Sequence, residues 1–480
     1  MAKTAKKDST LTLEEKLEQA LVPNTEYPYK VPDNWCWGYL TSSFAECKDS
    51  FRKPINADER SGRAGSIPYY GATGQVGWID DYLTDEELVL LGEDGAPFLD
   101  KAKNKAYIIS GKAWVNNHAH ILKSRFGHVG NVYLLHYLNI FDFTGYVSGT
   151  TRLKLTQSSM DTIPVPIAPF SEQQRIVDRI ESLFAKLDEA KEKAQAVIDG
   201  YENRKAAILH KAFTGELTEG WRKKHKFSSE EFFYSIQQHL SAIKKKKQKK
   251  VQNSLKDRLK KKIPKEWLLV DLDSISKQIT DGEHNTPKRV ESYCGYYLLS
   301  ARNIHDDALR LDNVDYIDGV EYSIISKRCN PIRGDILLSC SGSVGRCCVV
   351  CDDNNYCMVR SAAMISQYGC NSRFIMYMIQ SDGIQEQIRL LSKQTAQANL
   401  FLGAIASLMI PLPSIEEQNE LVERLDTLLF KMQQSKEIAE QAIDQINTLK
   451  KVILARAFRG ELGTNDPKDE SAVELLKSIL

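Results

Sequence analysis

The sequence predicts an α+β protein in which two mixed α/β globular domains are joined by two long antiparallel coiled-coil helices, the halves being related by a pseudo-twofold axis. Three observations predict it. One segment occurs twice in the chain, each copy carries a long helical seam, and each copy follows a stretch of short strand-like runs punctuated by turns. At 480 residues, 42% hydrophobic and 26% charged, the chain has material for about three domains. That composition excludes global disorder and collagen-like repetition.

The repeat is the strongest signal. Residues 163–217 align without a gap, at an offset of 245, to residues 408–462, with 20 of 55 positions identical. Shared landmarks are Pro166 with Pro411, Glu172-Gln173 with Glu417-Gln418, Arg179 with Arg424, and the endings Ala212-Phe213-x-Gly215-Glu216-Leu217 and Ala457-Phe458-x-Gly460-Glu461-Leu462. Each copy reads as one long helix that starts after prolines and stops at glycine, because proline breaks a helix from within and glycine supplies the left-handed cap. The first apolar stripe runs Ile176, Ile180, Leu183, Leu187, Ala190, Ala194, Val197, Tyr201. The second runs Leu421, Leu425, Leu428, Met432, Ser435, Ala439, Ala442, Ile446, Leu449, Ile453. Steps of four and three alternate, a 3.5-residue period that keeps a seam facing a partner helix. Forty helical residues reach about 60 Å, a rod rather than a core element. Each stripe packing on its own globular domain is the competing arrangement. Mutual pairing is favoured, since matched seams a domain's length apart can lie antiparallel.

The chain accordingly partitions into an N-terminal extension 1–31, a first globular domain 32–160, a helical region 161–218, a basic linker 219–262, a second globular domain 263–405, a second helical region 406–463 and a C-terminal tail 464–480. The globular segments do not resemble each other. The first opens on VPDNWCW and contains SIPYYGATGQVGWIDDY, LVLLGEDGAPF and KAYIISGKAWVNNHAHIL; the second opens on IPKEWLLV and contains ITDGEHNTPKRV, GYYLLSARNIHDD and GDILLSCSGSVGRCCVV. Both read as β-rich runs between Gly, Asn and Asp turns, and each is long enough to bury a core.

Charge and cysteine usage narrow the function. Sixty-four Lys and Arg against 63 Asp and Glu give a net charge of +1, so the whole is no polycation. Residues 241–265 hold twelve Lys or Arg and one Asp, a local +11 that leaves −10 for the rest. That stretch is a solvated linker, a phosphate-contacting arm, or both. No run of about 18 apolar residues occurs and the first twenty residues are charged throughout, which predicts a cytoplasmic protein with no membrane contact. Eight of the ten cysteines lie between Cys294 and Cys370. The pair Cys348-x-x-Cys351 lacks a second pair at zinc-site spacing, and CCVVCDD reads as a buried strand. Asn116-Asn117-His118-Ala119-His120 lacks a third ligand at matching spacing. No metal and no cofactor are therefore expected.

Catalytic parts are equally missing. There is no Pro-Pro dipeptide, hence no N/D-P-P-Y/F motif of amino-methyltransferases, and no G-x-x-x-x-G-K-S/T phosphate loop. Gly71-x-x-Gly74-x-x-Gly77 and Gly342-x-x-Gly345 are turns rather than dinucleotide loops. The chain reads as a non-catalytic binding module with two unlike heads on one rod, suited to two short sequences at fixed separation along duplex DNA. Turn residues able to reach base edges or phosphates are Tyr70, Thr73, Gln75, Asn116, Asn117, His118, Thr151 and Arg152 in the first head. In the second they are His284, Asn285, Thr286, Arg302, Asn303, Ser341, Ser343, Arg346 and Gln397.

These residues sit among motifs that resemble a known family over nearly the whole chain. The P-x-x-W entrances (Pro32–Trp35, Pro264–Trp267), the lead-ins IPVPIAPFSEQQ and IPLPSIEEQ, and the two AF-x-GEL endings resemble the DNA specificity subunits of type I restriction-modification systems. IPYYGATG with GEDGA in the first head, and DGEHNTPK with GDILLSCSGSVG in the second, are similar to that family's target-recognition domains. The resemblance implies two domains that each read one half of an asymmetric bipartite site, and paired helices that act as a ruler. It also implies two methylation subunits, restriction subunits in the full complex, and double-stranded DNA as partners. A coiled-coil scaffold, a stand-alone DNA-binding protein without a methylase partner, and a self-sufficient enzyme with a divergent active site are the alternatives.

Overall fold

The computed structural model describes residues 11–243, 253–306, 308–394 and 398–480. The chain divides into two units, Met1–Gln195 with Glu440–Leu480, and Ala196–Ala439. Each unit holds one head together with part of both repeat copies.

In the first unit the strand Cys36–Tyr39, entered through Pro32–Trp35, pairs antiparallel with Pro164–Ile167, which leads into the first repeat helix. An antiparallel sheet orders its strands Ala45–Cys47, Ala119–Ser124, Leu88–Gly92, Ala106–Ile109. Leu88–Gly92 is buried at every position because both faces are covered. Val89 and Leu91 join the core that contains Tyr133 and Leu134 of helix Gly127–Ile140, whereas Leu88 and Leu90 cluster with Val115 and Ile121. A second sheet orders Gly74–Ile79, Ile67–Gly71, Lys112–Val115, Thr84–Asp85, its two middle strands running parallel. The N-terminal extension and C-terminal tail belong to this unit's core. Helix Leu13–Ala20, with a Thr12/Glu15 capping box, packs with helix Ala472–Ile479, and Lys16 Nζ donates to the Leu480 carbonyl at 2.6 Å.

The second unit repeats this topology with unrelated residues. Leu268–Asp271 pairs with Met409–Leu412. An antiparallel sheet orders Ser276–Asp281, Ala362–Gln367, Ile336–Ser339, Cys347–Val349, so in both heads the strands stand first, fourth, second, third. A three-stranded sheet orders Asp315–Tyr316, Tyr296–Leu299, Asn355–Met358, the last two again parallel. Helix Ser372–Gln380 follows the last sheet strand as Gly127–Ile140 does in the first head. Cys347 and Cys348 point into two different cores, and Cys351 beyond them is exposed.

The repeated motifs explain how each head is closed. Trp35 Nε1 donates to Glu172 at 2.7 Å, and Trp267 Nε1 to Glu417 at 2.9 Å. The neighbouring glutamines turn back on the helix lead-in, Gln173 to the Ala168 carbonyl and Gln418 to that of Pro413. Gly215 and Gly460 both take φ +71°, and a Cβ would lie 2.4 Å and 2.3 Å from Pro264 and Pro32 respectively. Only glycine accommodates both the left-handed turn and that approach. Each head's entrance thus meets the GEL ending of the other repeat copy.

Two expectations are corrected. The first copy is not one helix: Phe170–Asp199 and Tyr201–Phe213 are separated at Gly200, where Arg204 donates to the Val197 carbonyl. Glycine weakens a helix interior by about 1 kcal/mol relative to alanine. The matching position in the second copy is Gln445, and helix Ile415–Ala457 runs uninterrupted for 43 residues. Most of both stripes is buried or half-buried, but Ala190, Ser435 and Leu449 are exposed. Residues 219–262 are also more than a linker. Helix Ser229–Ile243 buries Ile236 and Leu240, and helix Asn253–Lys260 buries Leu259, in the second unit's core. Residues 244–252, the centre of the basic stretch, lie outside the described residues.

Candidate nucleic-acid interface

In the first head the parallel strands Ile67–Gly71 and Lys112–Val115 end side by side, which brings the Ala72-Thr73 turn next to Asn116-Asn117-His118. Asn116 N donates to the Tyr70 carbonyl, and the buried Asn116 Oδ1 receives the His118 amide at 2.8 Å. Asn116 therefore shapes the turn, while Asn117 is exposed at its tip. Glu93 N bonds the His118 carbonyl, and Gly95 N bonds that of Leu153, so the Gly92–Gly95 turn and the hairpin carrying Thr151 and Arg152 join the same edge. Asp94 organises the basic side chains there: Arg152 Nε lies 2.7 Å and His118 Nδ1 3.5 Å from its carboxylate. Tyr70 is half-buried against Tyr107, while Thr73, Gln75, Thr151 and Arg152 are exposed. The structure thus gathers this head's predicted residues on one edge.

Beneath that edge lies a charged network that sequence reasoning missed. His120 Nδ1 is 2.6 Å from Asp49, and Glu93 completes a trio of potential metal ligands. Arg52 pairs with both Asp49, at 2.9 Å, and Glu93, and Lys154 lies 3.3 Å from Glu93. Those cations balance the carboxylates, so the cluster is a buried ion network that fixes the turn above it. Burial alone would raise the Asp49 carboxyl, but the bonds from His120 and the Ile121 amide and the Arg52 charge outweigh it and hold the group below the ordinary range.

The second head repeats the arrangement with other side chains. Gly282 and Glu283 run beside the end of strand Asn355–Met358, where a Cβ at Gly282 would meet the Met358 carbonyl at 2.1 Å. His284 Nε2 is 2.9 Å from Asp281, which also pairs with Arg328. Arg302 and Arg289 share Asp315 at 2.7 and 2.8 Å. Burial works to raise Asp281 and Asp315, and the bonds and charges of these basic side chains overcome it, holding both carboxyls below their usual range. Asn285, Thr286 and Ser343 are exposed and Ser341 half-buried, its backbone bridged to Asn399. Two predicted residues belong to the framework instead. Asn303 is 1% exposed, with Oδ1 accepting from Ser300 and Nδ2 donating to the Arg310 and Asn313 carbonyls. Arg346 donates to the Ala301 carbonyl at 2.8 Å and its Nε is buried. Gln397 lies outside the described residues.

Topology exposes residues the motifs did not mark. Arg360 follows the parallel strand Asn355–Met358 as Asn117 follows Lys112–Val115, is exposed, and bonds the Glu283 carbonyl through its amide. Arg289 and Arg328 were equally unmarked because their partners lie 26 and 47 residues away.

Comparison with known proteins agrees with this architecture. A family model for the type I restriction modification DNA specificity domain matches residues 47–198 and 316–445, more than half of the chain. The chain belongs to that family. Among its members, the type I restriction enzyme EcoBI specificity subunit of Escherichia coli is 27% identical over 320 residues, covering 66% of this chain and 62% of the relative. A putative type I restriction enzyme specificity subunit of Haemophilus influenzae is 35% identical over 141 residues, covering 29% of this chain and 35% of the relative. These alignments span less than two thirds of either relative's length. A solved chain from a study of complex assembly and conformational transition of the type I R-M system superposes with a TM-score of 0.57 at 14% identity, covering 91% of this chain and all of the other, which shows a shared fold. No helix among the described residues is long and apolar enough to cross a membrane.

Proposed function

We propose that this chain is the DNA specificity subunit of a type I restriction-modification complex, each head reading one half of an asymmetric bipartite site. The observation that carries the reading is the pairing of one topology with two unlike sets of edge residues: Asn117, His118 and Arg152 on the first head, His284, Arg302, Arg328 and Arg360 on the second. A common scaffold with different donors and acceptors is what two different half-sites require. The subunit is non-catalytic, acts in the cytoplasm on double-stranded DNA, and docks two methylation subunits, with restriction subunits joining the full complex.

In this reading the repeat helices pair antiparallel as a coiled coil about a pseudo-twofold axis and set the spacer. Contacts within the first unit support the direction of pairing. Lys450 Nζ is 2.5 Å from Asp188 and Lys191 Nζ 3.3 Å from Asn447, so advancing along one helix means retreating along the other. Tyr201 under Lys436 in the second unit continues the trend. The test is co-expression with the methylation subunit encoded beside it, followed by genome-wide mapping of methylated bases. One asymmetric motif with an unspecified gap is the expected result. An intact complex that methylates nothing would refute it.

A further inference from the structure

A groove of about 690 Å³ in the second unit lies outside the edge that gathers the base-reading candidates. One wall comes from residues 214–229, the other from 261–266, with Glu417 at its base. The first wall carries the run Trp221-Arg222-Lys223-Lys224-His225-Lys226-Phe227, in which aromatic and basic residues interleave. Trp221 and His225 stack at 4.4 Å and 25°, and Trp221 and Phe227 at 5.8 Å and 17°. Phe227 remains 47% exposed, so its ring meets water rather than a core.

The charges around these rings are unbalanced. Arg222 is satisfied by Glu417 at 2.9 Å and Lys223 by Glu219 at 2.6 Å. Lys226 on one wall and Lys261 and Lys262 on the other are exposed with no ion pair among the described residues, and Lys224, Lys260 and Lys265 adjoin them in the chain, likewise exposed and unpaired. Glu216 and Glu266 also line the groove, the former accepting from Thr214. Lone surface lysines are ordinary, but three unpaired lysines lining the groove, with three more adjoining them in the chain and open ring faces beside them, repel one another and gain from a polyanion with planar groups.

We propose that this groove holds the sugar-phosphate backbone of DNA independently of sequence, the lysines meeting phosphates and the ring faces packing on sugars or bases. The proposal rests on the specificity-subunit reading and adds to it a contact outside the half-sites. Phosphates are favoured over carboxylates because the cations are lysines, point charges that need no bidentate geometry, set beside stacked rings.

The test uses the full chain and a K224Q/K226Q/K261Q/K262Q variant, with F227A as a milder change at an exposed ring. Affinity is measured between about 50 and 200 mM salt for a duplex lacking the recognition sequence, a single strand of equal length, and poly-glutamate. Each lost phosphate contact lowers the magnitude of the log-log salt slope by about 0.9 on a duplex, so the quadruple variant flattens it by about 3 to 4. F227A weakens binding severalfold with little change in slope. Loss on the duplex alone assigns flanking duplex, and a larger loss on the single strand assigns a displaced strand; either supports the proposal. An unchanged slope on both nucleic acids overturns it, as does loss of poly-glutamate binding with DNA binding intact, which would mark an acidic protein segment. The methylated motif separates the two readings: slope loss without any motif fails only the half-site reading, and an intact motif with an unchanged slope fails only this one.

Discussion

Glu417→Ala tests whether the repeated motifs are the closure of each head. Glu417 is 4% exposed, and its carboxylate accepts from Trp267 Nε1 at 2.9 Å, Thr218 Oγ1 at 2.7 Å and Arg222 Nε at 2.9 Å. Removing it strands a buried indole N–H and a guanidinium whose side chain is 14% exposed. Orphaning one buried neutral donor costs about 1–3 kcal/mol, and breaking a buried ion pair about 3–5 kcal/mol. The losses share one carboxylate and do not add, so the expected destabilisation is about 3–5 kcal/mol. At about 2–4 °C per kcal/mol for a unit of this size, its melting temperature falls by about 10 °C. Hydrogen exchange resolved by peptide is the suitable assay, since peptides at 263–271 and 408–425 report the second unit and those at 32–40 and 163–176 the first. Protection should drop in the second unit alone. Adding Arg222→Met should restore part of the loss, because replacing both partners removes the unpaired buried charge. A loss under about 1 kcal/mol, or equal loss in both units, would refute the closure argument.

Three further outcomes follow from the same geometry. Burial raises the Glu172 carboxyl above its ordinary value, outweighing the bonds from Trp35, Asn465 and Thr464. Its protonated form is therefore favoured in the folded state, a contribution present below the unfolded value and lost as pH rises through the raised one. Stability of the wild type relative to Glu172→Gln should consequently grow as pH falls toward 4.5, and denaturant midpoints showing the opposite trend would exclude that sign. Arg152→Ala should relax one position of one half-site at a cost of about 1–3 kcal/mol, Asp94→Asn should do so more weakly, and Arg360→Ala should act on the other half-site, all read from the methylated motif. Equal loss on every sequence would instead mark phosphate contacts. Inserting four residues after Gln195, about 6 Å of helix, should change the preferred spacer and keep both half-sites; altered half-sites would show that the helices are no ruler.

How much was legible follows from what each signal encodes. The repeat, its prolines and its glycine stops were visible because they constrain backbone, and Gly215 and Gly460 occupy the left-handed positions their place after the helices requires. The pause at Gly200 was not, since one glycine inside a periodic stripe leaves the period unchanged. The likeness of the heads was hidden for a different reason. A strand buried on both faces, such as Leu88–Gly92 or Ile336–Ser339, asks only for apolar residues, so shared topology leaves no shared sequence.

The edge residues divide along the same line. Turn chemistry identified Asn117, Thr73 and Thr151 because exposed polar tips are written locally. It left the exposed Arg289, Arg328 and Arg360 unmarked and set the buried Asn303 and the partly buried Arg346 among surface residues, because whether a polar side chain faces solvent depends on partners far along the chain. The Ser300-Ala301-Arg302-Asn303 turn illustrates this: the Asn303 amide ties three backbone groups together, and that rigidity is what aims its neighbour Arg302 at Asp315 and the surface. The recurring device is one carboxylate holding two basic side chains, Asp94 with Arg152 and His118, Asp281 with Arg328 and His284, Asp315 with Arg302 and Arg289. In the proposed reading each such pair restricts rotamers before DNA arrives and leaves further donors for base edges. Ordering entropy that would otherwise oppose binding is thereby lost during folding. In the proposed reading, recognition accordingly resides as much in the acids that hold these basic side chains as in the side chains themselves.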